Sequence, residues 1–336
     1  MRAAQFVGER QVEIAEVPTP SPGLGEVLVR VTWAAICGSD KGLFISPGAK
    51  PGLHGHEAAG VIAAVGEGVR ERRVGECVVV YAVIGCDSCS YCARQEYTRC
   101  RHRPGGVGGC FAEYVTTPER NALPLPDDVD TECGCALSDC IGTPYKAARE
   151  AAVQPGEWVV VFGGGPIGLN AVQVCAGLGA RPIHVEPISY RRDAGRRLGA
   201  CESLDPGASD VAVAVRDLTG EGADCVMECS GSVEAERAAL SAVASGGRVV
   251  YVGENGSGLT VNVSEDLIRR DVRAMGSWYF FPRHLNELIE LHRAGRVDPL
   301  GVVSHRLPLE RIADGFAAFC DRTENCTKVI LRVSEE

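Results

Sequence analysis

Four thiols, Cys86, Cys89, Cys92 and Cys100, fall in one short stretch with the spacing Cys-x₂-Cys-x₂-Cys-x₇-Cys. Short Cys-x₂-Cys bites with a later return cysteine let a single loop wrap one ion. A tetrahedral structural zinc takes four thiolates at about 2.3 Å. The competing reading, a run of reduced buried cysteines, does not account for so regular a spacing. A second set of chemically capable residues is dispersed: Cys37-Gly-Ser39-Asp40, and Gly55-His56-Glu57 some way downstream. Each fragment alone fits a structural role. Together they offer the sulfur, nitrogen and oxygen donors from which an open zinc site is built, one that keeps a position for a substrate oxygen.

The third feature is Gly163-Gly-Gly165-Pro166-Ile167-Gly168. In a chain with 41 glycines such a pattern means little without context. Here it follows the apolar run Trp158–Phe162 and opens a helical run from Leu169 to Leu178, so Gly163 can make the tight turn and Gly165 can admit a pyrophosphate. Gly168 then permits close helix–strand packing, and the helix N-terminus receives the phosphate. Glu186 closes the next strand, 18 residues beyond Gly168. A carboxylate there accepts hydrogen bonds from ribose hydroxyls and repels a 2′-phosphate, which favours NAD over NADP. Arg191 and Arg192 supply the cations an NADP site would use, and keep NADP as the lesser alternative.

The elements that carry these residues differ in texture. Up to about residue 140 the chain alternates apolar and polar positions between Gly and Pro turns, as in Val27–Val31 and Val61–Val80, with a further strand expected at Phe111–Val115. From Trp158, strand-like runs at Ile183–Glu186, Asp224–Glu228, Arg248–Val252 and Val272–Gly276 alternate with helical runs such as Glu234–Val243. That rhythm is an α/β one, a doubly wound parallel sheet. The expected organisation is a mainly β domain at 1–140 with its cysteine lobe at about 85–105, a dinucleotide-binding domain at 141–280, and a tail at 281–336 that rejoins the first domain.

Composition narrows the function classes. With 336 residues the chain exceeds the size of a single core, and a net charge of -10 argues against a nucleic-acid binder, whose surface needs a basic balance. No apolar run approaches the ~18 residues of a membrane span, and Met1-Arg-Ala-Ala-Gln-Phe is no signal peptide, so a cytoplasmic protein is expected. Sixteen cysteines then point to metal ligation and reduced thiols rather than disulfides. Cys110, Cys133, Cys135, Cys175, Cys201, Cys225, Cys229 and Cys320 have no metal spacing, and most are expected to be small buried hydrophobes.

Cys37-Gly-Ser-Asp, Gly55-His-Glu-Ala-Ala-Gly60, the four-cysteine lobe, Phe111-Ala-Glu-Tyr-Val115, the Gly163 loop, Asp298-Pro-Leu and Pro308-Leu together resemble the zinc-dependent medium-chain dehydrogenase/reductase superfamily, in its alcohol and polyol dehydrogenase branch. The resemblance covers nearly the whole chain. It implies a GroES-like catalytic domain beside a Rossmann domain, two zinc ions per chain, and a catalytic zinc held by Cys37 and His56. The third ligand matches Asp139 when Thr143 and Tyr145 are aligned with the family pattern, with the adjacent Cys140 as the alternative. Thr143 joins the implied cofactor-binding residues. Glu57 matches the family's acid behind the ligands, which can also approach the ion, and Ser39 the hydroxyl that relays the substrate proton. The outward histidine of that relay is replaced by Gly42, so the proton is expected to leave through the nicotinamide ribose to water or through another base.

The implied activity is hydride transfer between NAD and a secondary alcohol of polyol, cyclitol or amino-alcohol type. Substrate contacts are expected from residues 40–56, Tyr81–Gly85 and Gly276–Phe281. Two alternatives stand beside it: an NADPH-dependent ketone or aldehyde reductase of the same family, and a non-catalytic nucleotide-binding protein that keeps only the structural zinc. The expected partners are a small alcohol or ketone and further copies of the chain, as a dimer or tetramer, with no nucleic acid and no membrane.

Overall fold

Valines at alternate positions of Glu26–Ala35 and the small apolar residues of Glu57–Val65 make the two longest paired strands of the first unit in the computed structural model, which describes residues 1–335. They lie antiparallel at the centre of a seven-stranded sheet. Its path runs Val303–Pro308, Lys328–Arg332, Glu26–Ala35, Glu57–Val65, Cys77–Val80, Ala122–Pro124, with Tyr114–Pro118 also paired to Glu26–Ala35. The strand expected at Phe111–Val115 begins instead at Tyr114. Phe111 is buried and its carbonyl accepts from Ala4 N at 2.8 Å, so this residue serves the core and the first hairpin, and contact with the sheet begins with the Glu113 carbonyl, which accepts from Val31 N at 2.9 Å.

The core of this unit is aromatic at its centre. The Phe316 ring packs against Phe6, Phe44 and Phe111 with centroids 5.2, 5.3 and 5.8 Å away. Phe316 comes from the helix Ile312–Asp321, which the tail contributes to the first unit.

The second unit holds a six-stranded sheet in the order Glu202–Leu204, Arg181–Val185, Trp158–Phe162, Ala223–Glu228, Val243–Tyr251, Arg273–Gly276, every pair parallel. In chain order this is 3-2-1-4-5-6, the doubly wound arrangement whose reversal of direction falls between Trp158–Phe162 and Ala223–Glu228. Val160, Phe162, Ile183, Val226 and Val249 bury its centre. The short edge strand Glu202–Leu204 and the amphipathic helix Val211–Thr219, capped by the Asp210 side chain on Val213 N, were not anticipated from the sequence.

Contacts assign Met1–Asp139, Phe281–Leu285 and the chain from Val303 to the first unit, and Cys140–Phe280 with Asn286–Val302 to the second. The tail, expected to return in one piece at 281, is therefore interrupted. Residues 286–302 stay with the second unit because Asp298 N donates to Gln173 Oε1 at 3.0 Å and the Arg296 carbonyl lies against Gly177. Among the described residues no helix is long and apolar enough to cross a membrane, and all sixteen cysteines are free thiols. Of the eight cysteines expected as core fillers, Cys110, Cys135, Cys175 and Cys225 are buried, whereas Cys201 is exposed.

Phe316→Ala removes the ring on which three others converge. It is expected to destabilise the first unit by about 3–5 kcal/mol, read as a lowered urea midpoint.

Candidate metal centres and nucleotide site

Among the described residues two groups of side chains place potential metal donors within 4.8 Å of one another: Cys86, Cys89, Cys92 and Cys100, and Cys37, His56, Glu57 and Asp139. Both lie in the first unit.

The lobe brings its thiols together through local geometry. Cys89 precedes the helical turn Ser90–Ala93, which carries Cys92, and the 3₁₀ turn Tyr97–Arg99 delivers Cys100. Sulfurs of Cys89 and Cys92 are 3.6 Å apart, Cys89 and Cys100 3.9 Å, and Cys86 and Cys92 4.0 Å. Four sulfurs at about 2.3 Å from one ion sit about 3.8 Å from each other, so the cage fits zinc as it stands. The hydroxyl and backbone N–H of Ser88 lower the Cys86 thiol to about 5, whereas burial pushes Cys92 up to about 12. One position thus holds a thiolate and another a proton that an incoming dication would displace, because only thiolates ligate. Four thiolates around a dication carry a surplus of negative charge. Arg94, Arg99, Arg101 and Arg103, against the acids Asp87 and Glu96, supply the offset in the same stretch.

In the mixed group, Cys37 Sγ lies 3.8 Å and His56 Nε2 3.5 Å from Asp139 Oδ2. These are again the edges of a tetrahedron built on ligand bonds of about 2.0–2.3 Å, and the donor set suits zinc. Cys37 ends the loop after Glu26–Ala35, His56 directly precedes Glu57–Val65, and Asp139 opens the helix Asp139–Glu150. Asp40, in the 3₁₀ turn Gly38–Asp40, accepts from Cys37 N at 3.0 Å and faces His56 Nδ1 at 3.4 Å. It thereby turns Nε2 toward the other donors, the usual task of a carboxylate behind a ligating histidine. Burial opposes a charge on His56, but hydrogen bonds to Asp139, Asp40 and Cys37 outweigh it and hold the imidazolium well above its ordinary range. Burial, with Glu57 and Asp139 nearby, raises the Cys37 thiol.

Glu57 is 1% exposed, and both its oxygens accept from Lys328 Nζ, at 2.9 and 2.8 Å. Lys328 also donates to the Ile36 carbonyl at 3.0 Å. Burial pushes the Glu57 carboxyl up while the Lys328 ammonium pulls it back. No sequence signal pointed to Lys328, which reaches Glu57 only because Lys328–Arg332 runs antiparallel beside Glu26–Ala35. Asp40 was visible as the last residue of the Cys-Gly-Ser-Asp motif, yet its partner was not.

Cys140 stands about 100° around the helix from Asp139, and its sulfur accepts from Asn170 Nδ2 at 2.9 Å within the second unit. It is Asp139, therefore, that groups with Cys37 and His56. Ser39 is exposed in the turn beside Cys37, Thr143 is buried in the first turns of Asp139–Glu150, and Lys41 stacks over the Phe319 ring at 5.0 Å. Of the segments expected to contact substrate, Tyr81, Phe280 and Phe281 are buried and Trp278 is exposed.

In the second unit Trp158–Phe162 ends at Gly163, whose φ of +98° only glycine adopts without strain, and the helix Pro166–Gly177 starts with Gly165 as N-cap and Pro166 at its first turn. A Cβ on Gly168 would collide with the Gly163 carbonyl, so this turn closes only with glycine there. Ile167 is half-buried behind Pro166. Glu186 is 4% exposed; it accepts from Gly164 N and, at 3.0 Å, from Ile188 N. Arg191 is buried with its Nε on the Tyr190 hydroxyl at 3.2 Å, and Arg192 Nη1 donates to the carbonyls of Glu186 and Pro187. The glycine turn, the helix N-terminus and the strand-end acid thus form a site fitted to a dinucleotide's pyrophosphate and ribose.

Residues 23–127 match the family model described as Alcohol dehydrogenase GroES-like domain, and residues 166–294 the one described as Zinc-binding dehydrogenase. The zinc-type alcohol dehydrogenase-like protein YphC of Escherichia coli (strain K12), itself uncharacterized, is 31% identical over 98% of this chain and 98% of its own. An L-threonine 3-dehydrogenase of Pyrococcus horikoshii is 31% identical over 88% of this chain and 87% of its own. Among solved structures, alcohol dehydrogenase TADH from Thermus sp. ATN1 superposes with a TM-score of 0.91 at 31% identity, covering 99% of this chain and 100% of that one.

Cys92→Ser removes one buried corner of the lobe cage. It is expected to cost the chain one equivalent of zinc and to lower its thermal midpoint while the mixed group keeps its metal, measured by metal analysis and calorimetry on the same preparation.

Proposed function

We propose that this chain, which belongs to the zinc-dependent medium-chain dehydrogenase/reductase family and is an oxidoreductase, transfers a hydride between NAD and a secondary alcohol of polyol, cyclitol or amino-alcohol type. The observation that carries the reading is the tetrahedral spacing of Cys37 Sγ, His56 Nε2 and Asp139 Oδ2, three mixed donors rather than a closed set of four thiolates. A zinc ion held by them supplies Lewis acidity, lowering the pKa of an alcohol or polarising a carbonyl. The nicotinamide supplies the hydride chemistry.

The chain's own residues have distinct tasks. Asp40 holds His56 Nδ1 and so aims Nε2 at the donor group. Lys328 binds both oxygens of Glu57 and keeps that carboxylate behind the three ligands rather than among them. Ser39, two residues after Cys37 and exposed, accepts the substrate's hydroxyl proton and hands it outward. The N–H groups at the start of Pro166–Gly177 receive the pyrophosphate, and Glu186 takes the ribose hydroxyls. Cys86, Cys89, Cys92 and Cys100 hold a second, purely structural zinc, since a full set of thiolates leaves no position for a ligand.

Support for a functionalised secondary alcohol comes from the likeness to an L-threonine 3-dehydrogenase, and from the carboxylate donor Asp139 where a thiolate is the other option. Free thiols throughout suit a reducing cytoplasm. The edge strand Arg273–Gly276, with its side chains largely exposed, offers a template for pairing with a second copy, and we assign the protein a homo-oligomeric state.

A panel of secondary alcohols and ketones, followed by nicotinamide absorbance with NAD(H) and NADP(H), tests cofactor, direction and substrate class together. Metal analysis separates the enzyme from a mere nucleotide-binding module: two zinc ions per chain are expected, and a single lobe-bound ion would sink the catalytic reading. His56→Ala is expected to abolish turnover in a protein that still folds and keeps its lobe zinc. Ser39→Ala is expected to lower kcat by about 10²-fold or more and to alter its pH profile, the worth of a positioned proton-transfer group. An unchanged rate and profile would remove Ser39 from the mechanism.

A further inference from the structure

Two arginines follow the strand-end acid, and the second unit treats them differently. Arg191 packs its Cβ near Gly164 and gives Nε to the Tyr190 hydroxyl at 3.2 Å. Arg192, one residue on in the helix Ser189–Arg197, has a single nitrogen, Nη1, surrounded by three acceptors: the Glu186 carbonyl at 2.7 Å, the Pro187 carbonyl at 2.7 Å and Asp205 Oδ2 at 3.1 Å. Its main-chain carbonyl is in turn held by the Ser203 hydroxyl at 3.3 Å.

Asp205 follows the edge strand Glu202–Leu204, which lies parallel to Arg181–Val185 and so brings the end of one strand beside the end of the other. Its other oxygen, Oδ1, accepts from Gly207 N at 2.9 Å, which fixes the carboxylate toward Arg192. The guanidinium therefore sits against the backbone of Glu186, the residue whose side chain is to meet the ribose, yet its charge is met by Asp205. A 2′-phosphate carries close to two negative charges and is recognised by the fork of an arginine free to turn toward it.

We infer that Asp205 is a specificity-determining residue of the nucleotide site: with the carbonyls of Glu186 and Pro187 it occupies Arg192, so that the ribose 2′ position meets the Glu186 carboxylate and not a cation. The inference rests on the proposed use of NAD. A phosphate at the 2′ position would have to draw Arg192 away from Asp205 and at the same time lie against Glu186, two costs that a plain hydroxyl does not incur.

Calorimetric titration of the full chain with NAD and with NADP, without alcohol present, reads this directly. Asp205→Asn keeps the Oδ1 acceptor for Gly207 N and removes the charge. It is expected to raise NADP affinity relative to NAD by about tenfold, the worth of one charge-assisted hydrogen bond. Adding Arg192→Ala to that variant is expected to cancel the gain. Arg192→Ala alone is expected to leave the NAD to NADP ratio near the wild-type value, and it serves as the second variant should Asp205→Asn fold poorly. An unchanged ratio in Asp205→Asn, a gain that survives loss of Arg192, or a drop in NADP affinity of tenfold or more in Arg192→Ala alone would each overturn the clamp. A wild-type preference for NADP would overturn the NAD reading instead, while the shift between wild type and Asp205→Asn would still report on Asp205.

Discussion

Glu57 cannot be buried as a charge without a cation, and the cation it has is Lys328. Both groups are almost wholly removed from water, where an ion pair survives only if its geometry is good and its remaining hydrogen bonds are met. Removing one partner from such a pair costs about 3–5 kcal/mol. Two carboxylate contacts and the Ile36 carbonyl satisfy the ammonium. The consequence is topological. The strand that bears Lys328 has to lie beside Glu26–Ala35, so the last strand of the chain is tied to the residues that flank Cys37 and His56.

Around that pair the first unit collects more acid than base. Cys37, Asp40, Glu57 and Asp139 surround one imidazole and one ammonium, and although burial opposes the charge, hydrogen bonds to Asp139, Asp40 and Cys37 raise the His56 imidazolium above its ordinary range. The carboxyl groups of Asp40, Glu57 and Asp139 beside the Cys37 sulfur form an acidic donor set that suits a dication. The lobe solves the same problem with different means. Its four thiols come from a single stretch, and Arg120 and Arg283 from elsewhere in the first unit tie that stretch down at Asp87 and the Arg94 carbonyl. The contrast explains why one group reads as a closed structural cage and the other as a site with room for chemistry.

The second unit depends on strand order. Because Trp158–Phe162 and Ala223–Glu228 are neighbours while their crossovers leave in opposite directions, the loops at their ends part and leave the helix N-terminus open. Gly163 lies against Ser230 from the adjoining strand end, and Glu186 is drawn onto Gly164 by the parallel pairing of Arg181–Val185. Charges that appear together in the sequence, Glu186, Arg191 and Arg192, are thereby sorted into different environments.

Much of this was legible in spacing alone. The lobe cysteines, the glycine turn and the strand-end acid are local patterns, because a turn or a short loop is enough to bring their atoms together. The β-rich beginning and the alternating second half follow from residue periodicity, which reports secondary structure directly. Cys37, His56 and Asp139 were nominated by likeness to a family, and their approach to tetrahedral spacing appears only when strands far apart in the chain are placed in register. The resemblance had already favoured Asp139 over Cys140, and the helix places Asp139 beside Cys37 and His56 while the Cys140 sulfur meets Asn170. Lys328 beside Glu57 and Asp205 beside Arg192 had no trace in the sequence. Lys328 reaches Glu57 across the intervening strand Glu26–Ala35, and Asp205, at the end of an edge strand, meets Arg192 on the helix Ser189–Arg197, so only the packed fold determines which of these side chains end on the same side. Composition and short spacing thus settle what chemistry the chain carries, while the tertiary fold settles which charges face one another, because burial makes every unpaired charge costly.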